Sequence, residues 1–396
     1  MKEAPESKHG QTFLGGLNHV YHCNHYNAHL QMSVMLAEGI EGFDPRDLLR
    51  DSATRLVQLL KQRGYGQQDL LDEFTWCGFG HIKPLDDDRI EMPTSHYGQS
   101  SYLLGSPEKS CYFSAGFLQG VYGRAATETQ CRHTHDAVDR FSLDGALPAM
   151  ENPLLNPPPF TDVPARFDFP GCEAGPTQID EAAIQAAVAT LPLFGVPPEA
   201  GGDGLIPAFG VVLTNHYADY YNIISYETYH RMLEVGVPAD MAREAFVQCG
   251  HVCAFHTFGG ILESPEFHAL VVPQCKTVED WIHGMLAVVN ALGWGTWRVE
   301  KIVPGESLTI RIYNSYEGIG YRRLYPTASE KALSFLAMGG VRGLAHLFWK
   351  IDIRERPGLS QDFYLNVFNS QEGYWNVEQT HAIAAGDEYD RIVAWK

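Results

Sequence analysis

Cys111, Glu128, Cys131 and Asp139 fall close together in residues 111–139. Two thiolates and two carboxylates can share one zinc ion, which binds both sulfur and oxygen and is usually four-coordinate where its role is structural. A closed Cys/Glu/Cys/Asp set has no open position for a substrate, so the ion expected here is a structural zinc. His133 or His135 could replace Asp139 as the fourth ligand. A second group is Cys249, Cys253 and His256. Its i, i+4, i+7 spacing puts all three on one face of a helix. That face suits a cysteine nucleophile activated by His256 or a soft metal site. It also suits plain packing, because a free cysteine behaves as a small hydrophobe. His251 falls off the face.

The densest histidine run is Asn18 to Leu30, with His19, His22, His25 and His29. If the run is helical, His22, His25 and His29 share a face that could grip a transition metal. His25 and His216 each stand in an Asn-His-Tyr triplet, Asn24–Tyr26 and Asn215–Tyr217. They are expected to line equivalent ligand pockets or to serve as structural hydrogen-bonders. Tyr217, Tyr220, Tyr221, Trp294 and Trp297 add the aromatic surface an apolar ligand needs.

The elements that must hold these residues follow from periodicity. Pro45 to Arg63 reads as an amphipathic helix, with Leu48, Leu49, Leu56, Val57 and Leu60 on the apolar side and Asp47 near its start. Residues 76–82 and 89–92 have strand-like content, and Thr94 to Gly98 reads as a loop. Gly116 and Gly120 lie one helical turn apart and would let a helix lie close on a sheet. Prolines at 153, 157, 158, 159, 164 and 170 break helix and ladder alike, marking a linker. Asp180 to Leu191 is a short helix inside it.

The second half repeats landmarks of the first in the same order. Pro238–Asp240 answers Pro45–Asp47, Gly293–Gly295 answers Gly78–Gly80, and Asn314–Gly318 answers Thr94–Gly98. Counting from the two prolines pairs Leu56 with Cys249, Leu60 with Cys253 and Arg63 with His256. Ser334, Gly339 and Gly343 repeat the interval Cys111, Gly116, Gly120; Glu378 and His381 then mirror Glu128 and Cys131, and Asp390 mirrors Asp139. The expected organisation is an internal duplication: a first domain at 13–145, a Pro-rich linker at 146–207, and a second, diverged copy at 208–396. Each copy is expected to be α+β (mixed α/β), a small, mainly antiparallel sheet packed with helices.

The pattern Cys111-x4-Gly116-x3-Gly120, then Glu128-x2-Cys131, then a last ligand before a strand resembles the 4-vinyl-reductase domain. That domain occurs in a bacteriochlorophyll biosynthesis protein and in the sensor modules of phenol- and xylene-responsive activators. The resemblance implies a zinc on Cys111, Glu128 and Cys131 beside an apolar pocket for an aromatic compound. Asp139 stands where the family has its last cysteine, and the loop between Gly120 and Glu128 is shorter than in the sensors. The second half keeps Glu378 but has Ser334 and His381 where two cysteines would stand.

The chain has 396 residues, 48 acidic against 29 basic, and a formal charge of -19, which argues against nucleic acid and an anionic membrane surface as partners. No run approaches the ~20 apolar residues of a membrane span, and the N-terminus has no signal-peptide core. Eight scattered cysteines fit a reducing cytoplasm. No phosphate-cradling loop, dinucleotide fingerprint, G-x-S-x-G elbow or HExxH motif appears, so no nucleotide cofactor is expected. These readings lead to a small-molecule enzyme acting on a small aromatic or apolar metabolite. It would be a hydrolase or lyase using Cys249 or Cys253 with His256 and His216, and His25, Tyr217 and Trp294 would contact the ligand. The alternative is a non-catalytic binding or sensor protein for such a compound. A small-molecule ligand is the partner expected, with homodimerisation left open.

Overall fold

The computed structural model describes residues 2–102, 109–134, 136–329, 333–370 and 372–396; His135 lies outside them. In chain order the strands are β1 Glu6–Lys8, β2 Gln11–Leu14, β3 Leu17–Cys23, β4 Gly80–Pro84, β5 Arg89–Ser95, β6 Arg124–Gln130 and β7 Asp139–Ala146. They continue with β8 Ile206–Ala208, β9 Val211–Tyr217, β10 Thr296–Val303, β11 Ser307–Tyr313, β12 Asn376–His381 and β13 Tyr389–Trp395. They form three small antiparallel sheets packed against helices, so the fold is mixed α/β. Two sheets share one topology, β4-β5-β7-β6 in the first half and β10-β11-β13-β12 in the second. The parallel is one of topology and hydrogen bonding; it does not by itself establish a duplication.

The third sheet, β1-β2-β3-β9-β8, joins the halves through the β3–β9 pair, where Val20 faces His216 and His22 faces Thr214. Its β2–β3 and β8–β9 hairpins are exchanged. The β2–β3 hairpin leans on the second half, where Gly295 N–H donates to Gly10 O (2.9 Å) and Tyr21 N–H to Leu292 O (3.2 Å). The β8–β9 hairpin leans on the first half, where Gly80 N–H donates to Gly204 O (3.0 Å) and Asn215 N–H to Cys77 O (2.9 Å).

The predicted 45–63 helix is Pro45–Gln62, capped by Asp44, whose carboxylate accepts from Arg46 N–H at 2.8 Å, with Pro45 in its first turn. It buries Leu49, Leu56, Val57 and Leu60. Gly116 and Gly120 seat the Tyr112–Tyr122 helix on this helix, not on a sheet as expected. A Cβ on Gly116 would stand 1.9 Å from Arg50 O, and one on Gly120 would stand 2.4 Å from Val57 Cβ. Gly339 and Gly343 do the same for Phe335–Trp349 against Ala239–Cys253, meeting Val247 O at 2.1 Å and Ala254 Cβ at 2.5 Å. This contact pairs Arg50 with Val247 and Val57 with Ala254. Leu56 therefore corresponds to Cys253 and Ser52 to Cys249, one helical turn away from the register that the two prolines suggest.

Other expectations shift. Trp76 ends the Gln67–Trp76 helix instead of starting a strand, and Ser95 to Tyr102 passes from β5 into a short helix instead of a loop. The linker helix is Glu181–Val188, capped by Asp180. His22 lies in β3 while His25 and His29 lie in the Asn24–Met35 helix, so the three-histidine helical face does not form. Residues 239–263 form the one described helix long and apolar enough to cross a membrane, and 83% of its most apolar window is buried inside the protein.

Candidate functional site

Cys111, Glu128, Cys131 and Asp139 converge as their spacing predicts. Cys111 caps the Tyr112–Tyr122 helix, Glu128 lies in β6, Cys131 follows β6 and Asp139 opens β7. One ligand atom from each lies within 4.8 Å of all the others, so the set could hold a metal ion. The two sulfurs are 3.9 Å apart, and Cys111 Sγ is 3.5 Å from Asp139 Oδ2. Tetrahedral coordination at zinc bond lengths calls for about 3.8 Å between sulfurs and about 3.5 Å from sulfur to oxygen. Glu128 Oε2 accepts from Cys111 N–H at 3.1 Å, while its buried Oε1 has no partner and is free to coordinate. Asp139 Oδ1 accepts from Arg132 N–H at 2.6 Å, and Cys131 N–H donates to Asp136 at 3.0 Å, which fixes the loop. A side chain on Gly98 would collide with Asp139 Oδ2 at 2.5 Å. His133 is buried outside the set of four.

Four acidic groups in one dry space resist joint ionisation. Burial pushes the Glu128 carboxyl up to about 9 and raises Asp139 as well. A hydrogen bond from Cys111 brings the Cys131 thiol down to about 6, and the same contact, reinforced by burial, drives Cys111 well up. A divalent cation would supply the missing positive charge. The donor set fits one.

The second half carries the same skeleton with different side chains. Ser334 N–H donates to Gln379 Oε1 (2.8 Å) as Cys111 N–H does to Glu128, and Ala382 N–H donates to Asp387 (2.7 Å) as Cys131 N–H does to Asp136. Ile383 N–H donates to Asp390 Oδ1 (2.7 Å) as Arg132 N–H does to Asp139. The residues corresponding to the four ligands are therefore Ser334, Gln379, Ala382 and Asp390. The expected counterparts Glu378 and His381 are displaced by one residue and both are exposed: Glu378 alternates with buried Gln379, and His381 follows a bulge in the pairing of β12 with β13.

The expected cysteine–histidine group divides. Cys253 and His256 come together with His25, whose ring stacks on His256 at 3.7 Å. Beside them stands Cys23, outside the expected set, with its sulfur 4.0 Å from that of Cys253. Cys23 ends β3, caps the Asn24–Met35 helix and accepts Tyr26 N–H at 3.4 Å. Cys253 Sγ lies 3.7 Å from both His22 Nδ1 and Thr257 Oγ1, and His22 Nε2 meets Tyr316 Oη at 3.2 Å. His256 belongs to a π-helical turn, Ala254–Phe258, a distortion frequent at functional sites. His25 Nδ1 and His256 Nε2 are buried without partners. Burial pushes the Cys23 thiol up, but hydrogen bonding with Cys253 and His25 more than offsets this and brings it well below the ordinary value. Burial raises Cys253 and lowers His256 to about 4, leaving a neutral imidazole able to accept a proton.

Cys249 and His216 do not join this group. Cys249 bonds Ser33 Oγ (3.2 Å) and Ala245 O (3.3 Å), and burial pushes its thiol up to about 12. His216 bonds Tyr97 Oη at 2.9 Å among packed aromatic rings, and burial holds it neutral. Tyr217 donates to buried Glu73 (2.7 Å) and Trp294 to Tyr21 O (2.9 Å); both are core residues. The sequence signal for Cys23 was its place directly before helix-starting Asn24, since a thiol at a helix N-terminus is the kind that ionises readily. No protein-family model and no curated protein matches this chain.

Proposed function

We propose that the chain is a small-molecule enzyme whose nucleophile is Cys23, with a zinc on Cys111, Glu128, Cys131 and Asp139 that serves structure. The observation that carries this reading is the Cys23 sulfur, set at a helix N-terminus 4.0 Å from that of Cys253, with the stacked rings of His25 and His256 beside them. In a hydrolase of this design Cys23 Sγ bonds to the acyl carbon of a small, partly apolar substrate. The leaving group departs with a proton from the Cys23–His25 pair. Water then gives its proton to an imidazole, His25 or neutral His256, attacks the thioester, and releases the acid and the thiolate. The 4-vinyl-reductase resemblance and a common origin of the two halves belong to the same reading, supported by the ligand set and the shared sheet topology.

Iodoacetamide labelling near neutral pH, mapped by mass spectrometry, tests the nucleophile. Cys23 should label faster than Cys249 and Cys253, and Cys23→Ser should abolish turnover of activated acyl esters. If Cys23 stays unlabelled until the protein unfolds, the enzyme reading fails. The second reading, a binding or sensor protein for a small aromatic compound, then stands, favoured by the complete burial of Cys23 and Cys253.

A further inference from the structure

The turns of the exchanged hairpins differ at one residue. The β2–β3 turn is Gly15–Gly16 (φ 58° and 71°) and the β8–β9 turn is Phe209–Gly210 (φ 53° and 72°), the pairing demanded by a two-residue turn of this hand. Glycine accepts such angles without strain, whereas a bulky side chain at positive φ is an outlier that packing must hold. Gly260 supplies part of that packing, since any Cβ there would stand 2.0 Å from Phe209 O. Strain of this kind at a bulky ring points to a use for the ring.

Phe209 walls a cavity of about 190 Å³ between the linker helix and the second half, with Val188, Leu191, Ile261, Phe267 and Val288. The hydroxyls that reach it are already occupied, Thr190 by Ala187 O (2.7 Å) and Ser264 by Ile261 O (2.7 Å). No side-chain donor in the lining is left for a polar group, and exposed Glu266 at the edge repels anions. An apolar cavity of roughly 150 Å³ lined by Leu, Ile and Phe takes benzene. At Gly15, by contrast, a Cβ would meet Leu60 and Tyr65 below 3 Å, so the corresponding place in the first half is filled. We propose that this cavity is a binding site for a neutral hydrocarbon the size of a substituted benzene, separate from the thiols, none of which lines it.

Calorimetric titration of the full chain with toluene tests this. Saturable binding is expected, weakened at least about tenfold by Ala187→Phe, which fills the cavity, and similarly by Phe209→Gly, which removes the wall while relieving its backbone. Benzoate should bind at least about tenfold more weakly than toluene, its carboxylate finding no donor. No saturable toluene binding, or equal binding by wild type and both variants with unchanged thermal midpoints, would overturn the proposal. So would benzoate binding as tightly as toluene.

Discussion

The two four-stranded sheets hold corresponding sites that close the same loop in different ways. In the first half two sulfurs and two carboxylates converge, and one glutamate oxygen is left bare. In the second, Ser334 Oγ donates to Asp390 Oδ2 at 2.7 Å, Ser315 Oγ donates to the same oxygen, and Gln379 both accepts from Ser334 N–H and donates to His381 O (3.0 Å). Neutral donors satisfy the buried aspartate there, so no cation is required. The same backbone can thus be closed by a metal or by a hydrogen-bond network, and the choice is made by a hydroxyl for one thiol, a methyl for the other and an amide for a carboxylate.

The comparison breaks most sharply at Cys131. Cys131→Ala should abolish metal binding, measured by elemental mass spectrometry, and lower the thermal midpoint by about 5–10 °C, because metal affinity adds to folding free energy. Retention of a full metal equivalent would remove Cys131 from the ligand set. Grafting is the converse. The triple change Ser334→Cys, Gln379→Glu, Ala382→Cys should give the second half a chelatable ion of its own, and a metal content that does not rise would mean that the two skeletons are less alike than their hydrogen bonds.

A smaller effect concerns Glu73, which corresponds to Val288 when Cys77 is matched with Leu292 at the ends of their helices. Burial raises the Glu73 carboxyl to about 7, although Tyr217 donates to it. Its folded value lies above its unfolded one, so its contribution is fully present below about 4.5 and is lost as pH rises through about 7. Urea unfolding should therefore show Glu73→Gln gaining on wild type between pH 5 and 8, by at most roughly 3 kcal/mol. A constant difference across that range would mean that Glu73 stays ionised throughout. The smallest effect separates two helix caps. Ser315→Ala should cost about 1–2 kcal/mol, since it strips a bond from buried Asp390 as well as the cap on Gly318 N–H. Ser95→Ala, which loses the cap on Gly98 N–H, should cost about 1 kcal/mol or less where metal holds Asp139. Equal losses would erase the distinction between the two closures.

What the sequence determined by itself is local. Cys111, Glu128, Cys131 and Asp139 lie on one helix start, one strand end and the next strand start, so their spacing alone brings them together. The helix at Pro45 and the mixed α/β class follow from periodicity and proline position. Tertiary structure alone decided the rest. Cys23 and Cys253 come from opposite halves, and they meet because hydrogen bonds such as Gly295 N–H to Gly10 O and Gly80 N–H to Gly204 O exchange the hairpins. Counting from Pro45 and Pro238 differs from the true register by one turn because the close contacts of Gly116 and Gly339 set it, not the helix starts. Glu378 is not the counterpart of Glu128 for a related reason: a one-residue slip turns a strand's side chain to the opposite face, and only the pairing with β13 reveals which face is buried.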